Sequence, residues 1–402
     1  YNIDFKMRIG LNSGPVVVGS IGDDLRMDYT AVGDTTNLAS RLESMASPDS
    51  ILVSQDTFRL VRDFFEFETL GPVQVKGKKE PQEAFELLKA SGVETRIGAA
   101  VAKGLTRFVG RKNSMAALKE AYDLFLSGSG QVVGVVGEAG VGKSRLLLES
   151  RSQTLQGEYT YLEGRCLHFG GSMSYLPFLD ILRSYFEIED GDREFVIKKK
   201  MAEKLAALDR KLASALPPMM ELLSLKVEDE DFLNLGPQQR REKTFEAIRD
   251  VLIRASQERP LVLAVEDMHW IDKTSEELLD YLIGWLASAR ILLILLYRPE
   301  YTHQWGSKSY YRKIGLNQLT AQSSAELVQA ILEGGEVSPE IRDLILNRTA
   351  GNPLYVEELT HSLLESRTIQ KKNHQFILNG KASALLVPDT IQGIIAARMD
   401  RL

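Results

Sequence analysis

The nine residues "GEAGVGKSR" (137–145) decide the fold of the longer part of this chain. Four of them, Gly137, Gly142, Lys143 and Ser144, fit the spacing G-x-x-x-x-G-K-[ST]. The apolar run "QVVGVVG" leads into the motif and the helical pattern "KSRLLLESRSQ" follows. Glycines let such a loop turn its backbone N–H groups towards a phosphate, and the positive end of the next helix adds to the attraction. The stretch therefore predicts a strand, a phosphate-binding loop and a helix.

The residue types of this loop also predict individual roles. We expect Lys143 to reach the β- and γ-phosphates of ATP, and the Ser144 hydroxyl to ligate Mg²⁺ or Mn²⁺. The predicted nucleotide-binding residues of the loop are Gly137, Gly140, Gly142, Lys143, Ser144 and Arg145.

Two adjacent carboxylates, Glu266 and Asp267, end the apolar run in "LVLAVEDMHWID" (261–272). A buried strand that delivers negative charge beside a phosphate loop suits Mg²⁺ binding by one acid and polarisation of the attacking water by the other. Neighbouring strand residues point to opposite faces, so the sequence leaves open which acid does which. The predicted metal ligands are Ser144 and Glu266.

Arg298 ends another apolar strand, in "LLYRPE" (295–300). A guanidinium at this place either senses the γ-phosphate or is an ordinary surface arginine, and the pattern alone leaves both interpretations open.

Near the start of the chain, "YTAVGDTTNLASRLES" (29–44) predicts a helix that begins at Asp34, a good N-cap. Asn37 and Arg41 are four residues apart and so project from one side of that helix. An amide beside a forked cation suits a polyphosphate, whereas the plainer alternative is a solvated surface helix.

The order of strand and helix patterns predicts the α/β fold class with more than one domain. Residues from about 5 to 90 read as helices on a sheet, and the central part reads as a parallel sheet covered on both faces. From about residue 320 the pattern is mainly helical. Because the chain starts at Tyr1 inside a strand pattern, we expect an internal fragment of a longer protein.

Composition narrows the function classes. The chain has 402 residues and a net charge of −6, which gives no support for nucleic-acid binding. Its single cysteine, Cys166, favours a cytoplasmic setting. The longest apolar runs, such as "ILLILLY" from Ile291, are too short to span a membrane.

The motifs of the longer part together resemble the AAA-type ATPase module of STAND signalling NTPases. They are "FVGR", "GEAGVGKSR", "VEDMHWID", "LLYRPE" and "GNPLYVEEL", and the resemblance covers residues 105–402. It implies that Pro353 lies near the nucleotide base and that "LVPDTIQGIIAARMDRL" (386–402) enters a winged-helix region. It also implies protein partners recruited through C-terminal repeats.

The N-terminal stretch "MRIGLNSGPVVVGSIG…YTAVGDTTNLASRLES" resembles the second half of a class III nucleotide cyclase catalytic domain, with a ferredoxin-like α/β sandwich fold. The resemblance implies that Asn37 and Arg41 contact the triphosphate and stabilise charge during ring closure, and that Thr30 occupies a purine-reading position. The family's metal-binding aspartates and its purine-reading lysine fall outside this sequence. Because such enzymes act as dimers with composite sites, we expect a homodimer, and we expect this chain alone to be inactive as a cyclase.

These resemblances lead to explicit domain boundaries. We predict part of a cyclase domain at residues 1–90, a linker at 91–104, a P-loop ATPase domain at 105–319, and a helical subdomain with the start of a winged-helix region at 320–402.

Three functions are compatible with this organisation. The first is a multidomain cyclase, converting ATP to cyclic AMP or GTP to cyclic GMP, controlled by a fused STAND ATPase. The second is a STAND switch whose cyclase-like part is an inactive docking domain. The third, an ATP-binding transcriptional regulator, lacks a basic surface to support it.

Overall fold

The computed structural model describes residues 6–14, 16–21, 28–32, 34–75, 81–93, 97–98, 101, 104–153, 155, 157–168 and 174–379. They fall into two compact units, one drawn from residues 1–107, 328–348 and 357–402, the other from residues 108–327 and 349–356. The predicted entry into a winged-helix region at 386–402 lies outside the described residues.

The first unit begins with a small mixed α/β arrangement. Its strands and helices are β1 Arg8–Leu11, β2 Val17–Ile21, β3 Asp28–Val32, α1 Asp34–Met45, β4 Ser50–Ser54, α2 Gln55–Val61, β5 Phe65–Val73 and β6 Gln82–Ala90. Four strands form a sheet in the order β1–β4–β6–β5, in which β1 and β4 run parallel and the other pairs antiparallel. Strands β2 and β3 form a separate antiparallel hairpin.

Helix α1 packs closely on strand β1, and this packing determines which side of the helix is exposed. Leu38 and Leu42 are buried beneath the helix. A Cβ atom added at Gly10 of β1 would lie 2.1 Å from the backbone oxygen of Ala39, so only glycine allows this approach. The prediction of a helix from Asp34 is confirmed.

The second unit is built on five parallel strands. Its strands are β7 Gln131–Val136, β8 Thr160–Arg165, β9 Leu261–Glu266, β10 Ile291–Tyr297 and β11 Tyr311–Gly315. Their order in the sheet is β11–β7–β10–β9–β8. Every neighbouring pair is parallel. The fold class predicted from the sequence is therefore confirmed for this unit.

Helices cover both faces of this sheet. They are α3 Lys112–Leu126, α4 Lys143–Gln153, α5 Leu176–Tyr185, α6 Glu194–Leu208, α7 Leu216–Leu222, α8 Glu230–Leu233, α9 Pro237–Glu258 and α10 Lys273–Ile283. Alternate residues of β9 belong to two different apolar cores, with Val262 and Ala264 in one and Leu263 and Val265 in the other. A strand buried on both faces explains why its sequence is continuously apolar.

The C-terminal part contains both helices and a small sheet. Its elements are α11 Ala321–Ile331, β12 Glu336–Val337, α12 Pro339–Thr349, α13 Pro353–Glu365, β13 Ile369–Lys372 and β14 Gln375–Leu378. The three strands pair in the order β12–β14–β13. The mainly helical prediction from residue 320 therefore missed a sheet, whose strands of two to four residues are too short to give a periodic pattern.

Two further differences concern strands. Strand β11 was not predicted, because the edge strand "YRKIG" is polar and half-exposed. The sequence "PVQVKGKKEPQEAFELL" (72–88) predicts a strand pair from Pro72, whereas β5 begins earlier, at Phe65.

Replacing Gly164 of β8 with alanine should lower the free energy of unfolding of the second unit by about 1–3 kcal/mol. The added Cβ would lie 2.0 Å from the backbone oxygen of Pro177, so the backbone must shift. Thermal unfolding of the 402-residue chain, followed by circular dichroism, measures the effect. Gly315→Ala is the matched control, since an added Cβ in that strand of the same sheet meets no described atom within 4 Å. Equal melting temperatures for the two variants would contradict this account.

Candidate nucleotide-binding sites

The phosphate-binding loop lies between β7 and α4, as the sequence predicts. Gly140 and Gly142 have φ of 74° and 97°, in the left-handed region that favours glycine. The Lys143 ammonium donates hydrogen bonds to the backbone oxygens of Gly137 at 2.7 Å and Glu138 at 3.0 Å. Burial lowers the pKa of Lys143. The lysine is thus folded over its own loop, in position to exchange these carbonyls for phosphate oxygens.

Glu266, the last residue of β9, lies against this loop. Its side chain is buried, and its carboxylate accepts a hydrogen bond from the Ser144 hydroxyl. Burial raises the pKa of Glu266 to about 7. A hydroxyl and a carboxylate in contact are the oxygen ligands that Mg²⁺ prefers, so these two residues fit the predicted metal.

Asp267 occupies a different environment from Glu266. Its backbone is left-handed, with φ 56° and ψ 37°, and its side chain is half-exposed at the end of the sheet. The sequence left open which of the two acids faces the metal position. Among the described contacts the Ser144 hydroxyl is bonded to Glu266, and this contact favours Glu266 for that position.

Arg298 comes directly after β10, the strand that lies between β7 and β9. The backbone N–H of Gly137 donates to the backbone oxygen of Tyr297 at 3.2 Å, so Arg298 is held at the edge where the loop begins. Its guanidinium carbon lies 5.4 Å from the ring centre of Trp270. Parallel strands thus bring Lys143, Glu266 and Arg298 to one edge of the sheet.

The segment before α13 contacts the loop directly. The buried Asn352 amide donates to the backbone oxygen of Ala139 at 3.0 Å, and the Leu354 N–H donates to that of Gly140 at 3.2 Å. The resemblance drew attention to Pro353, which begins α13. Sequence reasoning missed Asn352. Its place inside the quoted motif "GNPLYVEEL" was the one feature that could have drawn attention to it.

Arg111 is a second residue that sequence reasoning missed. Its guanidinium is buried and donates to the backbone oxygens of Val141 and Asn317, both at 2.8 Å. It therefore joins the phosphate loop to the chain that follows β11. The quoted "FVGR" motif contains it, but a buried arginine bound to carbonyls has no spacing signature.

Arg145, predicted to bind nucleotide, points along its own helix. Its guanidinium pairs with Glu149 at 2.7 Å and lies 5.8 Å from the Phe108 ring centre. In this arrangement the Arg145 side chain connects α4 with Phe108, at the start of the second unit.

In the first unit, α1 presents its predicted pair on the accessible side. Asn37 is exposed and Arg41 half-exposed, one turn apart on α1. Thr30 lies in β3 opposite Gly19, and its side chain lies outside the described part of the chain.

Two further properties bear on function. Within the described residues, no helix has both the length and the apolar character to cross a membrane. The same residues hold no group of three or more His, Cys, Asp or Glu side chains able to bind a metal ion.

Comparison with protein families finds a match for each of the two parts. Residues 107–294 match the AAA ATPase domain, and residues 2–89 match the adenylate and guanylate cyclase catalytic domain. A domain of unknown function matches residues 320–375. The chain therefore contains one stretch similar to the adenylate and guanylate cyclase catalytic domain and another similar to the AAA ATPase domain.

The relatives match either most of the chain or about a fifth of it. An uncharacterized protein of Rhizobium meliloti is 27% identical over 365 residues, 89% of this chain and 34% of its own length. Adenylate cyclase 1 of the same species is 38% identical over 87 residues, 21% of this chain and 13% of its own length. Soluble guanylate cyclase 89Da of Drosophila melanogaster is 44% identical over 87 residues, 21% of this chain and 13% of its own length. The chain spans 34% or less of the length of these relatives.

Replacing Lys143 with alanine should weaken ATP binding by roughly tenfold to a hundredfold, because a charge-assisted hydrogen bond to phosphate is lost. Titration calorimetry of the 402-residue chain with MgATP measures this. Lys119→Ala is the control, since Lys119 is exposed on α3 and pairs with Asp123. Unchanged affinity in the Lys143 variant would remove this residue from the site.

Proposed function

We propose that this chain belongs to a multidomain nucleotide cyclase, converting ATP to cyclic AMP, whose rate is set by a fused ATP-binding module of the STAND type. One observation carries the proposal. The chain combines two parts. Its cyclase segment presents Asn37 and Arg41 on the accessible side of α1, and in its AAA domain the phosphate-binding loop, Glu266 and Arg298 meet at one edge of the sheet. GTP is the alternative substrate, because relatives of both specificities match the segment.

In the cyclase segment, Asn37 and Arg41 would bind the triphosphate and stabilise the charge that develops at the α-phosphate. Leu38 and Leu42, which directly follow Asn37 and Arg41, are buried and anchor α1 in the core, so the helix that carries the pair is held before substrate arrives. Donors fixed in advance stabilise a transition state more than a ground state. Thr30 would contact the purine.

In the ATPase module, the residues present fit a nucleotide with Mg²⁺ or Mn²⁺. Gly137, Gly140 and Gly142 would wrap the phosphates, and Lys143 would neutralise their charge. Ser144 and Glu266 would hold the metal, which supplies charge neutralisation at the β- and γ-phosphates.

The remaining residues of the module would act on the terminal phosphate and on the base. Asp267 would orient a water molecule, Arg298 would contact the γ-phosphate, and Pro353 would lie near the base. Arg145 would change partner from Glu149 to phosphate.

The contact between Asn352 and the loop supports control by nucleotide. Asn352 and Leu354 bind loop carbonyls, so a change in loop conformation on ATP binding would bias the position of α13. A ligand can shift a conformational equilibrium only through such differential contacts. We place the whole protein in the cytoplasm as a homodimer through its cyclase domain, with domain boundaries at residues 90, 104 and 319.

In the complete protein, Arg41→Ala should lower kcat for cyclic nucleotide formation by about a hundredfold or more while changing KM little, as expected for a contact made in the transition state. Both cyclic AMP and cyclic GMP are measured. Arg62→Ala is the control, because Arg62 is an exposed residue of the same segment.

A folded, ATP-binding wild-type protein that forms neither product would contradict the cyclase proposal. That result would favour a STAND switch whose cyclase-like segment serves for docking.

A further inference from the structure

The sheet of the second unit has a cavity at the end opposite the phosphate-binding loop. The cavity has a volume of about 460 Å³ and is lined by the first residues of β8 and β9 and by the ends of α5, α6 and α9. Leu261 lines it at the start of β9, whereas Glu266 ends the same strand at the nucleotide edge. A strand of this length spans about 17 Å, so the cavity is separate from the nucleotide site. Binding sites for small molecules typically measure about 300–1,000 Å³, and the cavity falls in that range.

The floor of the cavity is apolar and fixed. Leu162, Leu208 and Leu261 line it, and all three are buried in the core; they are called the leucine floor below. The Thr160 N–H donates to the backbone oxygen of Pro260 at 2.9 Å, which joins the start of β8 to the turn before β9. The floor therefore offers a preformed surface for an apolar group.

Tyr185 supplies a buried hydrogen-bond donor to the cavity. The residue lines the cavity and is 6% exposed, and its hydroxyl has no hydrogen-bond partner among the residues that the structure describes. Burial, with a smaller effect of Glu258, raises the pKa of Tyr185 to about 12, so the phenol keeps its proton. Buried polar groups in native proteins are almost always bonded, and an exception that faces a cavity points to a ligand.

The charged groups around the cavity fall into two pairs. Lys204 lies over the Tyr185 ring at 4.9 Å and pairs with Glu187 at 2.7 Å, so these two charges satisfy each other. Glu258 and Arg259 are neighbours at the end of α9, and both are exposed. Neither of their side chains makes an ion pair or a hydrogen bond within the described part of the chain. One carboxylate and one guanidinium on the rim are thus available to a ligand.

These groups together define the chemistry of the ligand. A guanidinium and a phenol hydroxyl both donate hydrogen bonds to a carboxylate, and the Glu258 carboxylate accepts from an ammonium group. The leucine floor suits a hydrocarbon or aromatic side chain. A ligand with a negative charge alone would be repelled by Glu258, and one with a positive charge alone would be repelled by Arg259. A zwitterion with an apolar side chain matches all of these features.

We propose that this cavity binds a free amino acid with a large apolar side chain. The ligand's carboxylate accepts hydrogen bonds from Arg259 and from the Tyr185 hydroxyl, and its ammonium donates to Glu258. Its side chain lies on the leucine floor. This second site does not depend on nucleotide binding at the P-loop.

Titration calorimetry of the 402-residue chain with L-leucine, L-phenylalanine and L-tryptophan tests the proposal. We expect saturable binding of at least one of them, with a dissociation constant of about 1 mM or lower. The N-acetyl derivative of the tightest ligand lacks the positive charge, and its methyl ester lacks the negative charge. Each derivative should bind roughly tenfold more weakly or worse, because it loses a charge-assisted hydrogen bond.

Variants of the cavity test the individual contacts. Glu258→Gln and Arg259→Gln should each weaken binding roughly tenfold, and both positions are exposed, so the fold should persist. Tyr185→Phe removes only the hydroxyl and should weaken binding about threefold to tenfold. Glu242→Gln, on the same helix, and Arg210→Gln are the matched controls, since both residues are exposed and neither lines the cavity. The controls should bind as wild type does.

Absence of binding by all three amino acids would overturn the proposal, as would unchanged binding in the Glu258 and Arg259 variants. Equal affinity for the N-acetyl derivative or the methyl ester would show a ligand of a single charge and contradict the zwitterion. Lys143→Ala should bind the amino acid as wild type does, and loss of binding there would place the ligand at the phosphate-binding loop instead. Failure of the proposed nucleotide binding would leave these titrations unchanged, so the two results are distinguishable.

Discussion

The phosphate-binding loop depends on one condition, that the protein binds its carbonyl oxygens. A loop whose carbonyls are held by the protein does not turn them towards an anion, and those of its N–H groups that are not bonded within the protein remain for phosphate. The partners are the Asn352 amide for Ala139, the Leu354 N–H for Gly140, the Arg111 guanidinium for Val141 and the Leu146 N–H for Gly142. Lys143 binds the carbonyls of Gly137 and Glu138 in this conformation, and phosphate oxygens would replace them. Three of these partners, Arg111, Asn352 and Leu354, lie far from the loop in the sequence, so the loop conformation depends on how these segments pack.

Parallel strand order places the remaining groups around this loop. Strand β10 lies between β7 and β9, so Arg298 follows the strand that neighbours both the strand entering the loop and the strand that ends in the buried acid Glu266. A carboxylate at this depth is stable as an anion only with a partner. The Ser144 hydroxyl is that partner in this conformation, and a metal ion would be a stronger one.

Strongly patterned features were predictable from the sequence, and features that arise from tertiary contacts were not. The local sequence is enough to predict the phosphate-binding loop, from the glycines and the lysine of 137–145. It is also enough to predict the strands and the parallel sheet, from the continuously apolar runs. Strand β11 is polar on an edge, and the strands of the C-terminal sheet are too short for periodicity. The roles of Arg111 and Asn352 depend on which backbone carbonyls lie nearby in space, and no spacing rule contains that information. The assignments of Asn37, Arg41 and Thr30 stay predictions.

The central claim is that ATP in one module sets the rate of chemistry in another. The direct test is the rate of cyclic nucleotide formation by the complete protein at saturating substrate, compared between wild type and Lys143→Ala. Our account predicts a clear change in the maximal rate, although Lys143 lies in the ATPase domain and outside the cyclase segment. Equal maximal rates, in variants shown to differ in ATP binding at the P-loop, would contradict it.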